Sequence, residues 1–277
     1  LPFAKMQTCG NDYIFLEDFD GEITCPESLC VTLCDRHYGI GADGIILMER
    51  SRKADARMRM FNADGSEGSM AGNALRCMAK YLYDNHIVRK EEMTIETDKG
   101  TKTVRVYTTD GKVTSACVDM GYAALDTTAL HLNIPERQVV DYPVEIGGQS
   151  WNITCVDMGN PHCVVFCPRV DGVDVGTVGP LFEHAPYFPD RINTEFIRVV
   201  NPSTIKMRVW ERGSGETMAC GTGACAAVVA AVAAGQCEKG RDITVRVRGG
   251  DLVVNYTDEK VTLTGDARLV YTGEVEY

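Results

Sequence analysis

A thiol beside a run of glycines is the part of this sequence best suited to chemistry. Trp210–Glu211–Arg212–Gly213–Ser214–Gly215–Glu216–Thr217–Met218–Ala219 leads into Cys220–Gly221–Thr222–Gly223–Ala224–Cys225, and small apolar residues follow to Ala234 and stop at Gly235. The first part reads as a polar loop, the second as a buried helix with a glycine stop. Cys220 falls at their junction. A helix N-terminus leaves backbone N–H groups unpaired and carries partial positive charge. A thiol there is expected to ionise more readily than a free one, whose pKa is about 8.5. The same N–H groups can hold a carboxylate, and Gly221 and Gly223 let a ligand approach the backbone. One reading is a thiolate beside an anion cradle. The other is a small buried cysteine in a tightly packed helix, and this stretch alone leaves both open.

An internal repeat favours the first reading. A shift of 149 positions lays Met58–Arg59–Met60–Phe61 on Met207–Arg208–Val209–Trp210, Glu67 on Glu216 and Gly72 on Gly221. Gly10–Asn11 falls on Gly159–Asn160 at the same offset, without a gap. Self-similarity shared by separate motifs predicts two related halves. Each half then has a loop–helix junction, at Gly72 and at Gly221, and two such junctions facing each other would clamp one small anion. The same shift lays Ala71 on Cys220, so a site built from both halves would carry a thiol on one side and an alanine on the other.

The elements that must position these residues follow from patterning. Residues 3–20 read as strand, turn, strand about Gly10–Asn11–Asp12. Residues 26–38 read as a helix opened by Pro26. The glycine-rich stretch Gly39–Ile40–Gly41–Ala42–Asp43–Gly44 lacks both the P-loop and the dinucleotide-binding spacing and reads as turn geometry with room for a ligand contact. Residues 56–62 alternate as a strand, and Gly72–Asn73 opens a helix to about Asn85. Short strands over 93–98, 102–108 and 112–119 are separated by hairpin signals at Lys99–Gly100 and Asp110–Gly111. The second half repeats the plan with strands near 139–146, 150–158 and 162–167. An irregular segment over 168–192 follows, then strands at 196–200 and 205–210 that feed the central loop and helix. Closing strands are expected at 243–248, 251–256 and 260–264, and 268–276 is placed back on the first lobe. Many short strands with one buried helix per half predict an α+β fold rather than a doubly wound sheet. Residues 1–119 with 266–277 form the expected N-terminal lobe, and 120–265 the C-terminal lobe.

A chain of 277 residues can bury a large core. Its formal net charge of −11 disfavours nucleic acid or an anionic membrane as partner. No apolar run is long enough to span a bilayer, and Leu1–Pro2–Phe3–Ala4–Lys5 does not read as a signal peptide. The twelve cysteines are scattered and include no C-x-x-C pair. They read as free thiols of a reducing, cytoplasmic compartment rather than as a disulfide framework or a metal site.

Seven stretches, in chain order, carry a resemblance to a known family. They are Gly10–Asn11–Asp12–Tyr13, Asp35 through Gly44, Phe61 through Ser66, Gly72–Asn73 with Arg76–Cys77, Gly159–Asn160–Pro161–His162, Asn193–Thr194–Glu195–Phe196, and Trp210 through Cys225. With these the chain resembles the diaminopimelate epimerases, cofactor-independent amino-acid epimerases, over essentially its whole length. The resemblance implies two pseudo-symmetric lobes, each a mostly antiparallel sheet rolled around a central helix, with the active site in the cleft between them. It implies interconversion of LL- and meso-diaminopimelate for lysine and peptidoglycan synthesis, without pyridoxal phosphate or metal. One thiolate removes the α-proton and a second thiol delivers a proton to the opposite face. It implies a small amino-acid substrate and a homodimer.

Carried over residue by residue, Cys220 matches one catalytic thiol. Gly72, Asn73, Gly221 and Thr222 match the cradle for the reacting carboxylate. Asn11, Asn62, Asn160, Asn193 and Arg212 match the set that recognises the far end of the substrate. Glu211 and His162 match residues beside the reacting centre. The departure is Ala71, where the family has the other catalytic cysteine. Loss of either thiol is expected to block two-base inversion and to spare binding, because the cradle is backbone; Cys77, inside the helix, is not placed to substitute. Either this is a Cys→Ala change that disables the enzyme, or the chain is a homologue with altered chemistry. The alternatives are a racemase of another amino acid such as histidine, a non-catalytic amino-acid-binding protein, and a one-thiol lyase.

Overall fold

The computed structural model describes residues 1–68 and 72–276; Ala71 lies outside the described residues. The chain divides into two compact units, Leu1–Asp119 with Thr264–Tyr277, and Met120–Leu263.

The first unit is built from β1 (Pro2–Thr8), β2 (Asn11–Glu17), α1 (Pro26–Cys34), β3 (Gly44–Glu49), β4 (Ala56–Asn62), β5 (Glu67–Gly68), α2 (Gly72–Asp84), β6 (Glu92–Thr97), β7 (Gly100–Thr109) and β8 (Lys112–Gly121). Most neighbouring strands are antiparallel, as β1 and β2 are about the turn at Gly10. Two pairings are parallel, β2 with β3 and β4 with β6. A parallel pair cannot be closed by a hairpin, so the chain crosses over through a helix. The crossovers here are α1 and α2. α1 buries Leu29, Cys30, Leu33 and Cys34, which join Ile14, Leu16, Ile45, Leu47 and Phe61 in one core cluster.

The second unit contains β9 (Tyr142–Ile146), β10 (Gln149–Asp157), β11 (Pro161–Phe166), α3 (Val175–Glu183), β12 (Asn193–Asn201), β13 (Thr204–Glu211), β14 (Gly215–Thr217), α4 (Gly221–Ala233), β15 (Asp242–Val247), β16 (Gly250–Tyr256) and β17 (Val261–Asp266). Its parallel pairs are β11 with β12 across α3 and β13 with β15 across α4. This is the plan of the first unit, position for position. The final strand, β18 (Arg268–Glu274), pairs antiparallel with β1.

The repeat extends to single residues. Gly10 and Gly159 hold their turns at φ 84° and 85°, a left-handed conformation that glycine adopts without cost. Arg59 clamps Glu67 at 2.7 and 3.1 Å, and Arg208 clamps Glu216 at 2.8 and 3.2 Å. Each clamp ties a strand to the short strand that precedes the central helix, β4 to β5 and β13 to β14.

Two expectations need correction. The helix over 26–38 ends at Cys34. Asp35 leaves the helical conformation, and its carboxylate accepts the N–H groups of His37 and Tyr38, both at 2.7 Å. That local bond competes with the helix and wins. The segment 168–192 is not irregular: it contains α3, capped where Asp174 accepts from Thr177. Pro180 inside the helix and Gly176 and Gly179 along it mask the helical signal. The aromatic cluster of Trp151, Phe182 and Phe196, with ring centroids 5.3 to 6.4 Å apart, holds α3 against the strands.

α4 is buried without a break from Gly223 to Ala231. Glycine, alanine and valine let β10 to β13, β15 and β16 approach its axis from several sides. Gly221 and Thr222 at its start are half-buried, whereas the cap residue Cys220 is buried, and that burial governs its chemistry.

Candidate active site

Cys220 is the N-cap residue of α4, in extended backbone conformation at φ −125° and ψ 115°. Its sulfur accepts the Gly223 N–H at 3.3 Å and lies 3.5 Å from Thr222 Oγ1. The N–H groups of Gly221 and Thr222, first in the helix, have no partner within it. The junction read from the sequence is thus a helix N-terminus with a thiol on it.

The acidity expected of that thiol is not found. Burial pushes the Cys220 thiol well above its ordinary value, and the carboxylates of Glu211 and Glu195 push the same way. The hydrogen bonds from Thr222 and the Gly223 N–H oppose this and do not prevail. Cys220 therefore rests as a thiol. A helix end contributes about 1 kcal/mol, up to about 2 when partly buried, whereas desolvating an ion costs several.

The surroundings of Cys220 are built by β11, β12 and β13. His162, buried on β11, faces Glu195 of β12 with Nδ1 2.7 Å from Oε1. Its Nε2 is 3.1 Å from Asn160 Oδ1, and Asn160 Nδ2 donates to Thr222 Oγ1 at 3.4 Å. Glu211, at the end of β13, accepts from Thr217 Oγ1 at 2.5 Å. Asn193 is buried; its amide donates to Pro161 O and its Oδ1 accepts from Arg212 N, both at 2.9 Å. Asn193 thereby pins the Arg212 backbone, while the exposed guanidinium bonds Asp190 O at 3.1 Å. So the structure brings Asn160, His162, Glu211, Gly221 and Thr222 close around Cys220, and Asn193 and Arg212 are joined to each other.

In the first unit Gly72 and Asn73 open α2. Asn73 is buried and donates to Asn11 Oδ1 at 2.7 Å, and its own Oδ1 accepts from Arg76 at 2.8 Å. Asn62 stands apart from that pair and donates to Ser66 Oγ at 3.0 Å. Cys77, inside α2, is pushed up to about 12 by burial. The stretch Gly39 to Gly44 folds over a charged cluster: Asp12 meets Lys5 at 2.7 Å and Arg36 at 2.9 Å, and Lys5 also bonds Gly41 O. Among the described residues no group of three or more histidine, cysteine or acidic side chains is arranged to hold a metal.

The residue that the sequence reading passed over is Glu195. It lay inside a quoted motif, and its signal was an acid entering an apolar strand.

A family model described as diaminopimelate epimerase matches residues 3–125 and 154–276. A diaminopimelate epimerase of Desulfovibrio desulfuricans is 46% identical, covering 99% of this chain and 98% of its own length. One of Pelotomaculum thermopropionicum is 47% identical, with 99% of both chains covered. In fold, the chain matches a crystal structure of a probable proline racemase from Agrobacterium radiobacter with a TM-score of 0.73 at 16% identity, covering 99% of this chain and 92% of the other.

Proposed function

Because the chain belongs to the diaminopimelate epimerase family, we propose that it is an isomerase whose site is built to invert the α-carbon of diaminopimelate, with Cys220 as one of the two groups that exchange the proton. The observation that carries this is the position of Cys220 at the N-terminus of α4, beside the open N–H groups of that helix and within the field of the Glu211 carboxylate.

The chemistry follows from that position. The N–H groups at the helix start hold the α-carboxylate of an amino acid and stabilise the charge that grows on it as the proton leaves. A resting thiol can deliver a proton at once. To remove one it must first ionise, and the ammonium group of an incoming amino acid offsets the charges of Glu211 and Glu195 that keep it protonated. Asn11, Asn62, Asn160, Asn193 and Arg212 supply polar recognition for a substrate with a second amino-acid end. We assign the chain to lysine and peptidoglycan precursor synthesis and to the cytoplasm. No helix among the described residues is long and apolar enough to cross a membrane. We assign a homodimer, supported by the exposed apolar run Leu269, Val270 and Tyr271 on β18; light scattering that gives a monomer's mass overturns that assignment.

Inversion needs a second acid on the other face of the α-carbon, and at position 71 this chain has alanine. The decisive experiment incubates LL-diaminopimelate in D2O with this chain and with its Ala71→Cys variant. Epimerisation by the variant alone supports the two-thiol reading and makes Ala71 a disabling residue. Ala71 itself favours a second reading, a protein that binds the amino acid without inverting it. Binding by calorimetry with an inactive Ala71→Cys variant selects that reading.

A further inference from the structure

Glu195 is fully buried. One carboxylate oxygen faces His162 Nδ1 at 2.7 Å, and the other has no hydrogen-bond partner among the described residues. A buried carboxylate with an open oxygen is costly unless a positive charge lies against it. Gly223 makes the room: a Cβ there would stand 2.5 Å from Glu195 Oε1. The first turn of α4 therefore lacks a side chain where the carboxylate lies, and the same Gly223 gives its N–H to Cys220 Sγ. Glu195 is thus seated beneath the reacting thiol's own helix turn.

From this carboxylate a run of contacts leads to the sulfur. His162 Nε2 lies 3.1 Å from Asn160 Oδ1. An amide oxygen only accepts, so Nε2 donates. Asn160 Nδ2 donates to Thr222 Oγ1 at 3.4 Å. A hydroxyl that accepts there still has its own proton to give, and Cys220 Sγ lies 3.5 Å away. From His162 Nε2 onward these groups can all donate toward the sulfur. Glu195 Oε1 lies where it can accept the other ring N–H, from Nδ1.

We infer that Glu195 is a positioning residue: it holds His162 with both ring nitrogens donating, and through Asn160 and Thr222 this aims a hydrogen bond at Cys220 that supports its thiolate. Glu195 is too deep to act as a bare charge alone. In that simpler role it would only oppose ionisation of Cys220, as Glu211 of β13 does. The further titratable group facing the carboxylate is Cys163 of β11, buried and held protonated by burial. The inference takes from the proposed function only that Cys220 is the reacting thiol, and its test uses no turnover.

The test is made on the full chain. Histidine-selective 15N NMR at neutral pH reads which ring nitrogens of His162 carry protons. Two are expected in the unaltered chain and one in Glu195→Gln. In parallel, the alkylation rate of Cys220, followed by peptide mass spectrometry across pH, reads its thiolate fraction. Glu195→Gln is expected to slow alkylation at neutral pH by tenfold or more, and Glu195→Asp to recover part of it. Faster or unchanged alkylation in Glu195→Gln overturns the inference. So does a singly protonated His162 in the unaltered chain, a result that stands even where the variant fails to fold. Failure of diaminopimelate turnover alters neither readout.

Discussion

Asn160 donates to Thr222 across 3.4 Å, and one repeat earlier Asn73 donates to Asn11 across 2.7 Å. Each bond joins the turn that opens β2 or β11 to the start of the unit's central helix. The tighter pair is also bound to the buried Arg76, which donates to Asn73 Oδ1 and to Thr8 Oγ1, each at 2.8 Å. Asn73→Ala removes an acceptor from a fully buried guanidinium and frees Asn11. The expected cost is about 2–3 kcal/mol, read as a lower urea midpoint with an unchanged slope. A loss under about 0.5 kcal/mol would show that the guanidinium finds another acceptor.

Gly223→Ala tests the seat of Glu195 without touching the carboxylate. Alanine is ordinarily the better helix residue, by about 1 kcal/mol. Here its Cβ would stand 2.5 Å from Glu195 Oε1 and 3.1 Å from the side-chain carbons behind it. The side chain is fully buried and has little room to retreat. The expected outcome reverses the propensity, with a net loss of about 1–3 kcal/mol and a change in His162 ring signals. Stabilisation by alanine would mean that Glu195 moves freely under the helix.

The pH dependence of stability is set in part at Asp12. Burial alone would raise its carboxyl, but the hydrogen bonds and charges of Arg36 and Lys5 hold it down at about 2. The folded protein therefore binds this proton less readily than the unfolded chain, where the value is about 3.9. Stabilisation from the cluster is present above that unfolded value and is lost as pH falls through about 2. Asp12→Asn should cost on the order of 2 kcal/mol near neutral pH and flatten the acid limb of the stability curve. The loss is smaller if Asp43, which burial and the Asp12 charge push up, relaxes in the variant. A variant whose deficit persists unchanged into strong acid would show that packing, not charge, is what Asp12 contributes.

Features written in local spacing were legible in the sequence. The start of α4, the turns at Gly10 and Gly159 and the hairpins all follow from short-range glycine and polar signals. The 149-residue offset carried the rest of the architecture, and it held the information that was missed. α3 runs from Val175 to Glu183, at the offset from α1, so the repeat placed a helix where composition argued against one. The acidity of Cys220 was misjudged for another reason. The helix end is visible in sequence, but the burial that outweighs it depends on how strands from elsewhere in the chain close over α4. Glu195 was obscured in the same way, since its neighbours His162 and Gly223 are remote in sequence.

The helix that composition hid also supplies a sharp packing test. Gly179 of α3 lies against the indole of Trp210, and a Cβ at that position would stand 2.4 to 2.6 Å from three ring carbons. The ring has no easy retreat, because Trp210 Nε1 donates to Glu183 Oε2 at 2.6 Å and Glu183 Oε1 accepts the Gly213 N–H at 2.9 Å. Gly179→Ala must therefore move α3 or break the indole bond, at an expected cost of about 3 kcal/mol. Because Glu183 anchors the loop that leads to Cys220, the effect should reach the thiol. Calorimetry should show a lower Tm, and Cys220 alkylation should change with it. A variant with wild-type Tm and altered tryptophan fluorescence would mean the indole swings out at no cost, and Trp210 would then be a filler rather than a strut.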